Sequence, residues 1–187
     1  MKNIIIILLV AVLVLTAFCA CSSERDELAD RYNVQFFRDG YSAGLSAIAD
    51  GVGKSEKSEN FSKLEQGNGH LPIHKIESFD ELKSFKNDIV GSNISDSLKE
   101  YFDKLDGKFF EKNILLAVNL TSGSGSYRFR VSSVTKTDGC FAVGVSRVDT
   151  GTQIVTCDMA YWLVMCEVER TELSGITEFD AVYEGVN

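Results

Sequence analysis

Four apolar runs over residues 109–169, separated by turn signals, form the densest hydrophobic pattern in the chain. Residues 114–120 and 159–168 carry apolar residues on both faces, which is typical of strands that are buried on both sides. Another part of the chain must therefore cover the second face of these strands. The runs predict a β-sheet core in which a Gly/Ser loop over residues 121–126 joins two strands.

The strand after that loop alternates between apolar and polar residues. Its apolar face carries Tyr127, Phe129 and Val131. The alternation shifts by one residue at 132–133, and such a shift predicts a β-bulge. In the following strand the residues on one face are small, namely Ala142, Gly144 and Ser146. Small side chains on one face indicate that another group packs closely there.

Helical periodicity is clearest in the stretch before the apolar runs. Ser78 and Glu81 have the spacing of a capping box, which predicts a helix over residues 79–89. A second short helix is predicted over residues 95–105. Residues 71–76 alternate like a strand, which Pro72 restricts to a strand start or a sheet edge.

The segment at residues 32–38 is rich in β-forming residues and is predicted as a short strand. A helical alternative, with Leu28, Tyr32 and Phe36 on one stripe, stays open from the sequence. Together the elements predict an α+β fold: an antiparallel sheet of about five or six strands with two short helices packed on part of one face.

The domain is predicted to span residues 33–172, with a glycine-containing flexible insertion at about residues 42–70. Residues 21–32 are polar and are predicted to be a tether. Residues 173–187 are acidic and loosely patterned, so we expect a tail there.

The N-terminus carries a positive residue followed by an apolar run over residues 4–18, which is shorter than a membrane-spanning helix requires. The run ends in Phe-Cys-Ala-Cys and resembles a bacterial lipoprotein signal. Residues 1–20 are therefore predicted to be a signal peptide, and Cys21 to be the lipidated first residue of the mature chain. An uncleaved anchor helix is the alternative. Either way, the rest of the chain is expected to lie outside the cytoplasm, held to the membrane.

The chain is acidic, with a formal net charge of −8. An acidic chain without a basic run is a poor candidate for binding nucleic acid, so we predict none. The even spread of the acidic residues favours a solvated surface.

Besides Cys19 and Cys21, the chain has three cysteines and two histidines: Cys140, Cys157, Cys166, His70 and His74. Their spacing matches no zinc motif, and we predict no metal and no cofactor. If the strands at 140–148 and 158–168 pair with Val148 opposite Asp158, Cys140 faces Cys166 and a disulfide can form. Buried free thiols are the alternative.

Parts of the core resemble a family of small exported lipoproteins of Gram-positive anaerobes, mostly of unassigned function. The resemblance rests on Phe109, Phe110, Asn113 and Leu115, and on the segments 78–82, 123–126 and 156–162. A more distant resemblance, over residues 113–168, is to the C-terminal domain of PrcB, a lipoprotein subunit of a surface protease complex. These resemblances imply an extracytoplasmic β-rich module beside another surface protein, and they imply no catalytic residues.

The Gly/Ser loop is the main candidate site, because backbone N–H groups of such a loop can hold an anion or a peptide carboxylate. A flexible hairpin loop without function is the alternative. Arg128 and Arg130 face outward after the loop, with Arg147 expected near them; they either meet an acidic partner or pair with nearby carboxylates. Trp162 is expected in the core, and if exposed it would anchor an interface. The candidate contact residues are Thr121, Ser122, Gly123, Ser124, Gly125, Ser126, Arg128, Arg130 and Trp162.

These observations predict a non-enzymatic cell-surface lipoprotein that binds or assembles a partner protein. One alternative is a protease-associated subunit or protease inhibitor that presents the loop over residues 121–126. A second alternative is a hydrolase with an unrecognised site, which would require His74 within hydrogen-bond reach of a serine or cysteine.

Overall fold

A computed structural model describes residues 27–38, 69–89, 94–137, 139–149, 151 and 158–186. The predicted signal peptide, Cys21, Cys157 and most of the predicted insertion lie outside these residues. The strands are β1 (Gln35–Arg38), β2 (Gly69–His70), β3 (Ile73–Ile76), β4 (Asn113–Ser122), β5 (Arg128–Thr137), β6 (Cys140–Val148), β7 (Ala160–Glu169) and β8 (Glu178–Val186). The helices are α1 (Glu27–Arg31), α2 (Phe79–Ile89), α3 (Asp96–Asp103) and α4 (Gly107–Lys112), and a 3-10 turn spans Arg170–Leu173.

The strands form two four-stranded sheets, with the orders β1-β7-β4-β3 (sheet A) and β2-β8-β6-β5 (sheet B). The α+β class is confirmed, but the single antiparallel sheet of five or six strands is wrong. Strand β8 lies within the predicted acidic tail and pairs in parallel with β6. Its acidic residues occupy the outward face while Ala181 and Tyr183 are buried, so its composition concealed a strand.

Strands β4 and β7 are buried on both faces, as their apolar runs predicted. Leu116 and Val118 belong to a core cluster between the two sheets, whereas Leu115 and Ala117 belong to a second cluster under the helices. The residues of the second cluster that α2 and α3 contribute are Leu82, Phe85, Ile89, Leu98, Tyr101 and Phe102. The domain therefore has three layers, with sheet A in the middle.

The predicted bulge is present, as a register shift between Val131 and Ser133. The structure also explains why the side chains on one face of β6 are small. The Ser133 hydroxyl donates to the Glu184 carboxylate, and a side chain on Gly144 would overlap both groups. The close packing that the small residues predicted is thus a hydrogen bond that crosses β6 at Gly144.

Both expectations for residues 28–38 are partly correct. Helix α1 ends at Arg31, Asn33 adopts a positive φ of 39°, and β1 follows. The predicted tether is therefore folded from Glu27 onward within the described residues.

The carboxylate of Glu172 fixes α1 to the end of the sandwich. It accepts hydrogen bonds from Arg31 Nη2 at 3.1 Å, from the Tyr32 hydroxyl at 3.1 Å and from Lys136 Nζ at 2.5 Å. We call this end, where β4 begins and β7 finishes, the tether end. We call the opposite end, which carries the loop over residues 123–127 and the adjoining termini of β1, β4, β5, β6 and β7, the loop end. The ten residues of β4 separate the two ends by about 30 Å.

Cys140 and Cys166 are both free, so the disulfide is not formed. Its premise was a pairing of β6 with β7. Strand β6 instead pairs with β5 and β8, while β7 pairs with β4 and β1. The two thiols consequently lie in different sheets.

Phe102 is 1% exposed under the helices, whereas Phe79 on α2 is 38% exposed. We expect Phe102→Ala to lower the free energy of unfolding by about 3–5 kcal/mol, because it leaves a cavity between α3 and sheet A. Phe79→Ala is the matched control and should cost less than about 1 kcal/mol. Urea denaturation followed by circular dichroism measures both, and equal losses would contradict the layered core.

Glu172 should also give the tether end a dependence on pH. Burial raises the pKa of its carboxyl, but hydrogen bonds from Lys136, Arg31 and Tyr32 outweigh burial and hold the pKa below its ordinary value of 4.5. Because the folded-state pKa lies below the unfolded one, the stabilisation is present above about pH 4.5 and is lost as the pH falls through the folded pKa.

We therefore expect Glu172→Gln to be less stable than the parent chain by about 1 kcal/mol at pH 7, with the difference shrinking towards pH 3. Glu178→Gln, at an exposed carboxylate for which no ion pair is found among the described residues, is the control. Thermal denaturation between pH 3 and pH 7 tests this, and a constant difference across that range would refute the assignment.

Candidate functional site

The loop after β4 is held by its own serines. The Ser122 hydroxyl donates to the Ser124 carbonyl at 2.8 Å, and the Ser126 N–H donates to the Ser124 hydroxyl at 3.1 Å. Ser122, Ser124 and Gly125 are buried, while Gly123 and Ser126 are exposed. Thr121 and Ser122 belong to β4, so the part of the predicted site that projects beyond the sheet is residues 123–127.

Asp158 occupies the predicted anion position at Gly125. The Gly125 N–H donates to Asp158 Oδ1 at 3.3 Å, and Asp158 Oδ2 pairs with Arg38 Nη2 at 2.9 Å. A side chain at residue 125 would overlap the guanidinium of Arg38. The anion held by this loop N–H is thus the protein's own carboxylate.

Arg128 binds the opposite, carbonyl side of the loop. Its Nη1 donates to the carbonyls of Gly125 and Ser126, each at 3.3 Å, and to that of Tyr127 at 2.9 Å. The guanidinium of Arg147 stacks over the Tyr127 ring at 4.3 Å. The loop is therefore braced on one side by the Arg38–Asp158 pair and on the other by two further arginines.

Arg130 follows on the outward face of β5. Its Nε donates to the hydroxyl of the fully buried Ser146 at 3.4 Å. Arg147 was expected beside Arg128 and Arg130, but it pairs with Phe129 in the β5–β6 register and so lies on the opposite face of sheet B. The three arginines therefore do not form a strip on one face, and Arg147 lies over the Tyr127 ring instead.

Arg128, Arg130 and Arg147 form no salt bridge with any carboxylate in the part of the chain that the structure describes. Their contacts are to carbonyls, a hydroxyl and an aromatic ring. Of the two sequence-based alternatives for Arg128 and Arg130, pairing with nearby Glu or Asp is therefore not observed among these residues. Neutral contacts position a guanidinium without cancelling its charge.

Trp162 is 7% exposed and packs edge-on against Phe129, with ring centroids 5.6 Å apart. It lies in the core between the sheets, as expected. The exposure that a contact role for Trp162 would require is therefore not observed.

The two histidines lie apart from the loop. His70 Nδ1 is 2.9 Å from Asp180 Oδ1 on the outward face of sheet B. His74 packs against the Phe85 ring, burial lowers its pKa, and its Nε2 has no hydrogen-bond partner. Within the described residues, neither histidine therefore meets the condition that a serine or cysteine hydrolase requires. No cluster of three or more potential metal ligands occurs among these residues either.

Comparisons with protein-family models, with curated proteins and with solved structures found no match for this chain. In the ranges that the structure covers, no helix combines the length and apolar character needed to cross a membrane.

The sequence did not reveal Arg38, Asp158 or Tyr127 as members of this site. Arg38 and Asp158 are 120 positions apart in the chain, and each lies beside an apolar segment without a local motif. Their meeting depends on the pairing of β1 with β7, which places Arg38 opposite Trp162.

We expect Gly125→Ala to destabilise the loop, because the added methyl group would displace the Arg38 guanidinium from Asp158. The loss of unfolding free energy should be about 1–3 kcal/mol. Gly107→Ala is the matched control, because no atom lies within 4 Å of the added methyl group there, and it should be neutral or slightly stabilising. Chemical denaturation measures the unfolding free energy of both variants. Equal stabilities of the two variants would contradict the close packing of Arg38 and Asp158 against Gly125.

Proposed function

We propose that this chain is an exported, lipid-anchored surface protein that binds a partner protein through its loop end. The observation that carries the proposal is that Arg128 and Arg130 on one face of sheet B, and Arg147 on the other face, have charges that are not neutralised by carboxylates of the described residues. Arginine and tyrosine are enriched in protein interfaces, and here Arg128 and Arg147 both contact Tyr127 of the loop. The partner that such a surface fits is acidic at its contact site.

The position of the predicted anchor supports the loop end as the contact surface. Cys21 precedes Glu27, the first residue of α1, by six residues, which span at most about 20 Å. Helix α1 is fixed to the tether end through Glu172. A lipid on Cys21 would therefore keep the tether end near the membrane and direct the loop end towards the exterior.

A protease-associated subunit or protease inhibitor is the second candidate. The brace around the loop favours it, because a loop that is already held in one conformation loses little entropy when it enters an enzyme cleft. Gly123 and Ser126 are the exposed residues that such a loop would present. Residues 39–68 and 152–157 lie outside the described residues.

The anchor is tested by mass spectrometry of the mature N-terminus from cells that express the full chain. The proposal requires a chain that begins at Cys21 and carries acyl groups. A cleaved chain with an unmodified Cys21, or an uncleaved chain, would contradict it.

Partner binding is tested by cross-linking on intact cells, followed by affinity capture of the full chain. We expect Arg130→Glu to reduce capture of the partner at least tenfold, because it reverses an unneutralised charge at the loop end. Lys108→Glu, an exposed charge reversal on α4 near the tether end, should leave capture unchanged. Thermal denaturation verifies that both variants are folded.

Absence of any enriched protein would count against partner binding. Equal capture by the two variants would refute the loop end as the contact surface. Capture of a protease that the purified chain inhibits would favour the second candidate.

A further inference from the structure

Strand β5 is an edge strand of sheet B, and no described strand pairs with its outer side. With ten residues, it is the longest of the four edge strands among the described residues, since β1 and β3 have four residues each and β2 has two. The open side of an edge strand presents backbone N–H and C=O groups that can pair with another extended chain.

The second half of β5 is protected against such pairing. The bulge between Val131 and Ser133 interrupts the regular ladder. Helix α1 packs against β5, and Arg31 and Lys136 share the carboxylate of Glu172 there. The first half, Arg128 to Val131, precedes the bulge and pairs in regular register with residues 145–148 of β6. This half is the part of the edge that remains suited to an added strand.

The charges on β5 determine which kind of added strand this edge can accept. Its charged residues are Arg128, Arg130 and Lys136, and it has no acidic residue. Pairing of β5 with β5 of a second copy would bring like charges together across the new ladder, which is destabilising. An acidic strand would instead place carboxylates beside the two guanidiniums that lack them.

The alternation of outward and inward side chains along β5 determines the sequence pattern that an added strand needs. Arg128 and Arg130 face outward, while Phe129 and Val131 face the sandwich. Because the side chains of neighbouring strands share the same alternation, an added strand would carry acidic residues on its outward face and apolar residues between them.

We propose that the Arg128–Val131 edge of β5 takes an extended acidic peptide segment of a partner protein as an additional strand of sheet B. Backbone hydrogen bonds would supply the pairing, and Arg128 and Arg130 would select the acidic side chains. The proposal rests on the partner-binding function above and names the form of the partner.

The test uses the full chain and a fluorescent peptide of about eight residues in which Glu and Val alternate. Binding is measured by fluorescence anisotropy at low salt. Two further peptides are methylated at backbone nitrogens. One carries the N-methyl group on every Glu residue, and the other carries it on every Val residue. In an added strand, alternate N–H groups point to the protein, so one methylated series should bind at least tenfold more weakly than the other.

Equal binding of the two methylated series would overturn strand addition. So would an absence of binding by the unmethylated peptide. A peptide with Lys in place of Glu should bind at least tenfold more weakly, and Arg130→Glu should weaken binding of the acidic peptide at least tenfold while Lys108→Glu should not. Equal effects of the two charge reversals would overturn the assignment to this edge.

Amide hydrogen exchange gives a second readout that does not depend on any substitution in the protein. Bound peptide should slow exchange at residues 128–131 and leave residues 135–137 unchanged, and the reverse pattern would overturn the proposal. If cross-linking on cells captures a partner that depends on Arg130 while the methylated peptides bind equally, strand addition fails and the proposed function stands.

Discussion

The pairing of β4 with β7 is the interaction on which the rest of the structure depends. Ten residues of each strand pair in continuous antiparallel register, and both faces of the pair are apolar. One face carries the helices and the other carries sheet B. Burial of apolar surface on two faces of the same strands joins three layers that would not be stable separately.

This pairing also assembles the loop end. Because the strands are antiparallel, the end of β4 lies beside the start of β7, with Ser122 opposite Ala160. Asp158 stands just before β7, so its carboxylate reaches the N–H of Gly125 just after β4. The addition of β1 beyond β7 then brings Arg38 to the same carboxylate. The geometry of the loop is therefore a consequence of core pairing, and a loop that looks flexible by composition is braced by residues distant in sequence.

The sequence predicted those features that a local pattern determines. Apolar residues on both faces predicted the double burial of β4 and β7, the phase shift before Val134 predicted the bulge, and Ser78 with Glu81 predicted the start of α2. The second sheet escaped prediction because β2 has only two residues and the outward face of β8 is acidic. Partners that meet only through tertiary pairing, such as Arg38 with Asp158 and Arg31 with Glu172, have no local signal.

Two pairs of cations, Arg31 with Lys136 and Arg128 with Arg147, lie at opposite ends of the sandwich and are positioned by different kinds of group. At the tether end, Arg31 and Lys136 contact the carboxylate of Glu172, which cancels part of their charge while it holds α1 in place. At the loop end, Arg128 is held by three neutral carbonyls and Arg147 by an aromatic ring, so their positions are fixed while their charges remain uncompensated by the described residues. An acidic partner would meet guanidiniums that are already ordered, and the entropy of ordering them would not oppose its binding.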